Sequence, residues 1–476
     1  MRFDSDYKML IDGKLVAASD DIEVINPALG TSFATCPRAT KDDLELAVSA
    51  ATRAFRTWKN VPLDERRIAL KKAAAAIMEN ADAFASLFTK EQGRPTALAK
   101  EEVMGAAYWL SSTADLELPV DVTEDTDQRR IEVHHVPLGV VCAIVPWNFP
   151  MLLASWKIAP ALLTGNTIVL KPSPYTPLCT LKLGELLQEV FPPGVINIIS
   201  GGDELGPWMT AHKGFSKISF TGSTATGKRV MESAAHDLKK VTLELGGNDA
   251  AIVLPDVDVD KVAEQLFAGA FSNTAQICVA TKRLYVHEDI YDAVRDRMHE
   301  IAKSARVGDG SDQGNTYGPV QNKAQYERVL DLLEDARKNG LQLLYGSDVP
   351  EQGYFIPLTI VDNPPEQSRV VQEEAFGPIL PMMKFSDLDE VIDRANDTDY
   401  GLAGAVWSAD LEKAKQVAAS METGTVWINQ NLQSTPFTPI TGHKQSGVGS
   451  ENGVYGLREF TQAKAIYIPK SAASVS

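Results

Sequence analysis

Cys278 sits in Phe271-Ser-Asn-Thr-Ala-Gln-Ile-Cys278-Val-Ala-Thr-Lys-Arg283, at the end of an apolar helical run and just ahead of a strand. Free cysteine is among the most buried residue types, and a cysteine kept for bulk usually has apolar neighbours. Here Asn273 and Gln276 precede it, and Thr281, Lys282 and Arg283 follow. Those amides and cations can tolerate a thiolate. The thiolate is the nucleophile, and an unperturbed cysteine has a pKa of about 8.5. The competing reading of this stretch is a packed thiol.

Other stretches could complete a site. Glu244-Leu-Gly-Gly-Asn-Asp249 places a carboxylate just after a strand. Beside a nucleophilic cysteine it could activate a water, while alone it is an ordinary surface residue. Pro146-Trp147-Asn148-Phe149-Pro150 follows one strand and precedes a helix. Its prolines restrain the backbone, and the Asn148 amide could donate to a developing oxyanion or simply close an Asx turn.

Lys171 ends a strand in Val169-Leu-Lys-Pro-Ser173. There a cation could meet a ribose or phosphate, or mark the exit into solvent. Phe220-Thr-Gly222-Ser-Thr-Ala-Thr-Gly227-Lys228-Arg229 has almost the spacing of a phosphate-binding loop. Arg229 stands where Ser or Thr must hold magnesium, which excludes an ordinary nucleotide triphosphatase. Glycines opening a helix after a strand still let backbone amides approach a pyrophosphate, or form a plain turn with a Ser or Thr cap. Glu373-Glu374-Ala-Phe376-Gly-Pro378 is a second acidic turn, with an aromatic anchor.

These residues need strands to present them. Asp12-Gly13 between short apolar runs predicts a hairpin over 9–16. Thr40 caps a helix with Asp43 in its first turn and Leu44, Val48, Ala51 and Phe55 as the apolar stripe. Helices follow at 63–80 and 95–116, then an acidic connection at 120–128 and a strand at 129–136. From Gly139 short apolar runs alternate with helices: strands at 140–145, 167–171, 195–199, 217–220 and 241–243, helices at 151–163, 177–190, 203–211 and 223–235. A second series has strands at 251–254, 284–286, 379–383, 403–407 and 425–428. Its helices lie at 259–271, 290–305, 322–338, 387–395 and 411–419. The last strand, at 465–468, precedes a Ser/Ala tail expected to fray. Such alternation predicts an α/β fold with parallel sheets covered on both faces, and ligands beyond the carboxyl ends of the strands.

The chain's 476 residues call for two or three domains. A net charge of -17 argues against binding a phosphate backbone. The four cysteines, Cys36, Cys142, Cys179 and Cys278, show no CxxC spacing, so no metal is expected. Cys36, Cys142 and Cys179 read as packing residues. Few cysteines, a charged N-terminus and no spanning apolar run lead to an expectation of a cytoplasmic protein.

Taken in order, these motifs resemble the aldehyde dehydrogenase superfamily, and the resemblance runs from about residue 11 to 468. It implies two Rossmann-like doubly wound parallel-sheet domains and a small β oligomerisation element. Residues 1–116 and 138–245 would bind the cofactor, 246–445 would carry catalysis, and 117–137 with 446–476 would bridge subunits into a homodimer or homotetramer. It implies oxidation of an aldehyde to the acid. Cys278 would attack the carbonyl, Asn148 and the Cys278 N–H would hold the oxyanion, and Glu244 would activate the water that hydrolyses the thioester. The hydride would pass to NAD or NADP.

By the same resemblance, cofactor contacts fall on Ile144, Val145, Pro146, Trp147, Lys171, Ser173, Phe220, Thr221, Gly222, Ser223, Gly227, Leu245, Gly246, Glu374 and Phe376. Lys171 and Glu374 would hold the two riboses. Phe149, Trp156, Ile277, Val279 and Ile440 would line an apolar substrate pocket suited to a medium-sized aliphatic or aromatic aldehyde. Two positions depart from the family pattern. Ala275 replaces the usual glycine before Gln276. Pro174 replaces the glutamate that grips the adenosine ribose in many NAD-preferring members, which opens the way to NADP. A coenzyme A-acylating relative is the rival enzyme, and Glu244 argues against it. A non-catalytic protein with the same fold is the rival outside enzymes; the joint presence of Cys278, Glu244, Asn148 and Lys171 argues against that.

Overall fold

The computed structural model describes residues 2–470. Five apolar strands pair in parallel in the order Ile196–Ile198, Thr167–Lys171, Val140–Ile144, Lys217–Thr221 and Lys240–Glu244. Thr167–Lys171 and Lys217–Thr221 are buried throughout, as strands covered on both faces must be. The helices Lys41–Trp58 and Pro150–Leu163 both pack on Thr167–Lys171. Val140–Ile144 comes first in the chain, and its successors lie on opposite sides of it. That reversal opens a crevice beyond the carboxyl ends of Val140–Ile144 and Lys217–Thr221.

A second sheet runs Gln342–Tyr345, Thr359–Asp362, Ile379–Phe385, Arg283–His287, Ala250–Val253, Ala403–Trp407, Thr425–Ile428. Every neighbouring pair is parallel except the first. A third sheet joins Thr461–Pro469, Arg129–Pro137 and Asp121–Asp125. The expected α/β class holds, with antiparallel strands at sheet edges. Met9–Ile11 and Lys14–Val16 extend the first sheet at one end, and Gly447–Val448 closes the other.

Local chemistry accounts for several elements. Asp12 and Gly13 both adopt positive φ, 53° and 72°, which a two-residue hairpin of the right twist requires. Thr40 and Asp43 form a reciprocal capping box at the start of Lys41–Trp58. Leu44, Val48 and Ala51 are buried there and Phe55 is half-buried.

The acidic segment at 120–128 is not a connection. Its residues Asp121–Asp125 form a strand antiparallel to Arg129–Pro137, with a bulge after Val122. Acidic residues are poor strand formers, but here Glu124 pairs with Arg129 and Asp125 with Arg130, each at 2.8 Å. The Asp21–Asn26/Thr31–Pro37 hairpin, the helix Ala81–Gln92 and the strands Gln342–Tyr345 and Thr359–Asp362 also go beyond the sequence reading. The expected frayed tail lies largely outside the described residues. None of the described helices is long and apolar enough to cross a membrane.

Candidate active site

The crevice at the strand ends is a cleft of about 300 Å³ that contains Cys278. Pro146, Trp147 and Asn148 line it from the turn after Val140–Ile144. Thr221, Gly222 and Ser223 line it from the turn after Lys217–Thr221, and Leu245 and Gly246 from the next. Glu374 and Phe376 complete it from the second acidic turn. The motifs of the first sheet converge because each sits where a strand exits it, while Cys278 and Glu374 with Phe376 reach the cleft from the turns that lead into Arg283–His287 and Ile379–Phe385 of the second sheet. A wider cleft of about 700 Å³ elsewhere gathers Lys213, Lys240 and Arg458 and holds no cysteine.

Cys278 follows a backbone of unusual shape. Asn273, Thr274 and Ala275 take φ of 50°, 55° and 61° in succession. Single left-handed residues cost about 1–2 kcal/mol when they carry a Cβ, so the turn must be held by its neighbours. Gln276 does much of this. Its side chain donates to the Asn273 carbonyl at 2.9 Å and accepts from the Gln321 N–H at 2.8 Å. Thr274 donates its hydroxyl to the Gly318 carbonyl at 2.9 Å. Gly247 is needed for close approach, since a Cβ there would lie 3.0 Å from the Cys278 carbonyl oxygen.

Asn148 is buried and donates its side-chain amide to the Gln276 carbonyl at 3.0 Å. An amide nitrogen carries two protons, so a second donor remains. The Cys278 N–H makes no hydrogen bond among the described residues. Behind Asn148, Arg94 donates to the Asn148 carbonyl and pairs with Glu102 at 2.6 Å. Glu102 in turn accepts from the Met151 and Leu152 N–H groups that open Pro150–Leu163.

The electrostatics of the thiol are unfavourable to charge. Burial pushes the Cys278 thiol up to about 12; Lys282 opposes this, while Glu244, Asp249 and Glu374 reinforce it. Lys282 donates to the Cys278 carbonyl and stands 3.6 Å from Glu374 and 3.8 Å from Asp249. Glu244 closes the strand Lys240–Glu244 and is buried, and its Oε1 has no hydrogen-bond partner among the described residues. Burial, reinforced by Glu451 and opposed by Lys157, holds its carboxyl well above the usual range. An orphaned buried carboxyl oxygen is costly, and such groups cluster at functional sites.

The dinucleotide residues inferred by resemblance fall into two groups. Pro146, Trp147, Thr221, Gly222, Ser223, Leu245, Gly246, Glu374 and Phe376 line the cleft. Ile144, Val145, Lys171, Ser173 and Phe220 lie outside that lining, in or beside the strands that shape it, and Gly227 lies outside it in the helix Thr224–Ala235. Ser223 caps the helix Thr224–Ala235, so the first amides of that helix open on the cleft. Trp147 and Phe376 meet edge-to-face at 5.3 Å. Glu374 accepts from the Gly247 N–H at 3.1 Å. Thr224, Ala225, Gln325, Arg328 and Tyr400 also line the cleft and escaped the sequence reading. Gln325 and Arg328 share a face of Lys323–Lys338 by their three-residue spacing, but no local motif marks them.

None of the five apolar pocket residues lines this cleft. Phe149 covers the Arg94 guanidinium at 4.3 Å. Trp156 is buried and stacks on Trp109 at 5.9 Å. Ile277 and Val279 flank the thiol in sequence, and Ile440 exchanges backbone hydrogen bonds with Glu451. Cys36, Cys142 and Cys179 are buried, and burial pushes the first two up to about 12.

Comparison with known proteins places this geometry. The model of the aldehyde dehydrogenase family matches residues 15–466. FUS7 of Gibberella fujikuroi is 44% identical over 471 residues, covering 99% of this chain and 100% of its own. The aldehyde dehydrogenase LUC3 of a Fusarium species is 41% identical, over 98% of this chain and 99% of its own. The NAD+ complex of aldehyde dehydrogenase from Bacillus cereus superposes with a TM-score of 0.96 at 35% identity, over 98% of both chains. Betaine aldehyde dehydrogenase from Staphylococcus aureus, also solved with NAD+, gives 0.94 at 34% identity over 99% of this chain and 96% of its own. With its motifs converging on one cleft and its length matched almost end to end, the chain belongs to the aldehyde dehydrogenase family.

Proposed function

We propose that this enzyme oxidises an aldehyde to the carboxylic acid through a covalent adduct on Cys278. The observation that carries this reading is the Cys278 thiol opening on the same cleft as the Asn148 amide and the capped start of Thr224–Ala235. Cys278 Sγ attacks the carbonyl carbon and gives a thiohemiacetal. The free proton of the Asn148 amide and the Cys278 N–H receive the oxyanion. Glu244 takes the proton from a water that attacks the thioester left once the thiohemiacetal has lost hydride, and Sγ departs as the acid is released. A carboxyl whose burial raises its pKa is a stronger base once ionised.

A nicotinamide dinucleotide, when bound, supplies the hydride acceptor. The residues present fit such a group. The amides at the start of Thr224–Ala235 suit a pyrophosphate, and Lys171 and Glu374 suit the ribose hydroxyls. Lys171 is buried and donates only to the Pro172 carbonyl, at 3.2 Å. That leaves ammonium protons for a ligand. The solved Bacillus cereus and Staphylococcus aureus relatives bound to NAD+ support the same assignment.

By this reading 1–116 and 138–245 bind the dinucleotide, 246–445 carry the nucleophile, and 117–137 with 446–476 make subunit contact. The outer strand Thr461–Pro469 exposes Tyr467 and Ile468, and an exposed strand edge invites pairing with another chain. An aliphatic or aromatic aldehyde as substrate rests on the family resemblance alone, since Phe149, Trp156, Ile277, Val279 and Ile440 lie outside the lining of the Cys278 cleft.

The test is formation of NADH and NADPH over a panel of aldehydes, with and without coenzyme A, beside the Cys278→Ala variant. Turnover that needs no coenzyme A and vanishes in the variant is expected. Turnover that survives without the thiol would overturn the covalent reading. Efficient turnover only of charged semialdehydes would overturn the apolar substrate class.

A further inference from the structure

Gln92 is the last residue of the helix Ala81–Gln92; it is buried and does not line the cleft with Cys278. Its Oε1 accepts from the Arg94 N–H at 3.1 Å and from Arg94 Nε at 2.9 Å. Both of those groups can only donate, which fixes the orientation of the amide. Gln92 Nε2 therefore faces Asn273 and donates to its Oδ1 at 3.3 Å, across 181 positions of sequence.

These bonds close into a ring. Asn273 Nδ2 donates to the Gln276 carbonyl at 3.3 Å and to the Asn148 carbonyl at 3.5 Å. The Asn148 side chain donates to the same Gln276 carbonyl at 3.0 Å, and Arg94 donates to the Asn148 carbonyl. Asn148 is thus held at its backbone and at its side chain, and Gln92 joins Arg94 to Asn273 on the far side of the ring. The residue before Gln92 adds a strap: the Glu91 carbonyl accepts from the Gln321 side chain at 2.9 Å, and the Gln321 N–H donates to Gln276 Oε1. Gly93 then turns the chain at φ 98°, where a Cβ would lie 2.8 Å from both Pro27 and Pro319.

We propose that Gln92 is a positioning residue for the oxyanion site, locking Asn148 and the turn that carries Cys278 into one register. The proposal rests on the reading above, in which the Asn148 amide receives the oxyanion. A buried polar network rigidifies its surroundings when its members are bonded to one another. Asn273 stands first of three left-handed residues, so its turn needs support from outside. Without the Gln92 amide, Asn273 loses that anchor and Arg94 loses the acceptor that aims it at Asn148. The free proton of the Asn148 amide then no longer points where the oxyanion forms.

The test follows steady-state kinetics and the burst of reduced dinucleotide in the unaltered enzyme, Gln92→Leu and Gln92→Glu, each with and without Asn148→Ala. A misplacement of about 1 Å costs about 10²-fold, so Gln92→Leu is expected to slow the burst by about 10- to 100-fold. KM for the aldehyde, dinucleotide affinity and alkylation of Cys278 should change by less than about threefold, since none of them uses the oxyanion donors. Gln92→Glu, a carboxylate beside Arg94, keeps the Arg94 acceptor but has no proton for Asn273, and the same loss is expected. On the Asn148→Ala background either substitution should cost less than about threefold more, because residues acting through one group are not additive. A burst of unaltered rate in either Gln92 variant overturns the proposal. So does a full further loss on the Asn148→Ala background. If Gln92→Leu fails to fold, Gln92→Glu decides, and unfolding of both would assign Gln92 to the fold and overturn the proposal. An unaltered burst in Asn148→Ala alone overturns the oxyanion reading itself.

Discussion

The side-chain amide of Asn148 is tied to the Gln276 carbonyl at 3.0 Å across 128 positions of sequence. One turn thereby carries the thiol and aims the amide that faces it. Asn148→Ala removes that donor and is expected to lower kcat by roughly 10²–10³, with a smaller change in KM. Steady-state kinetics on one good aldehyde decide it. Equal kcat in both proteins would remove Asn148 from the oxyanion site.

Without bound dinucleotide, Cys278 should react slowly with thiol reagents. Its pKa is pushed up to about 12 by burial and by Glu244, Asp249 and Glu374. Below that value the reactive thiolate fraction grows about tenfold for each pH unit. Alkylation measured from pH 7 to 10 should climb without a plateau. Glu244→Gln removes one of the carboxylates that disfavour the thiolate, so it should speed alkylation at the pH values where Glu244 is ionised. A rate with its midpoint near pH 8.5 that levels off above about pH 9.5 would show an ordinary thiol.

Glu244→Gln should separate acylation from hydrolysis. Loss of a general base costs about 10²–10⁴ in the step that it serves. Rapid mixing should show one equivalent of reduced dinucleotide per site, followed by slow turnover. Full turnover in the variant would mean that another group activates the water.

Ala275 occupies a left-handed conformation, φ 61°. Ala275→Gly removes the Cβ penalty of about 1–2 kcal/mol, against a loss of about 0.5–1 kcal/mol from the more flexible unfolded chain. The net gain is up to about 1.5 kcal/mol by those two figures. A raised thermal unfolding midpoint is the expected outcome. A lowered one would show that the Cβ makes packing contacts worth more than the strain.

Arg94 and Glu102 form a buried ion pair at 2.6 Å behind the site. Arg94→Met leaves Glu102 without its cation, a change that costs about 3–5 kcal/mol in buried pairs. The variant should unfold at lower denaturant concentration, and adding Glu102→Gln should restore part of the loss. An unchanged midpoint in the single variant would mean that the pair does not stabilise the fold.

Much of the fold was legible in the chain. Thr167–Lys171, Val259–Phe271, Ala403–Trp407 and Thr425–Ile428 begin and end where apolar patterning puts them. Each is bounded by a clear change in residue type. Asp121–Asp125 was hidden because its support is cross-strand arginine rather than apolar alternation. Gln325, Arg328 and Tyr400 reach the cleft from elements whose local sequence looks like ordinary surface. Lys171 and Ser173 were read as cofactor contacts, yet they lie outside the lining of the cleft with Cys278.

What the sequence determined by itself is which residue types stand in the turns beside the strands. Parallel strands must be joined by crossovers, so the exits of the first sheet face one end, and the turns entering two strands of the second sheet bring Cys278 and Glu374 to the same cleft. What only the tertiary structure decided is the state of those groups. Glu244 is buried and partly orphaned, and the Cys278 thiol is disfavoured as a thiolate, because distant segments pack around them. Charge is governed by solvent exclusion and by partners in space, and neither is a property of neighbouring residues in the chain.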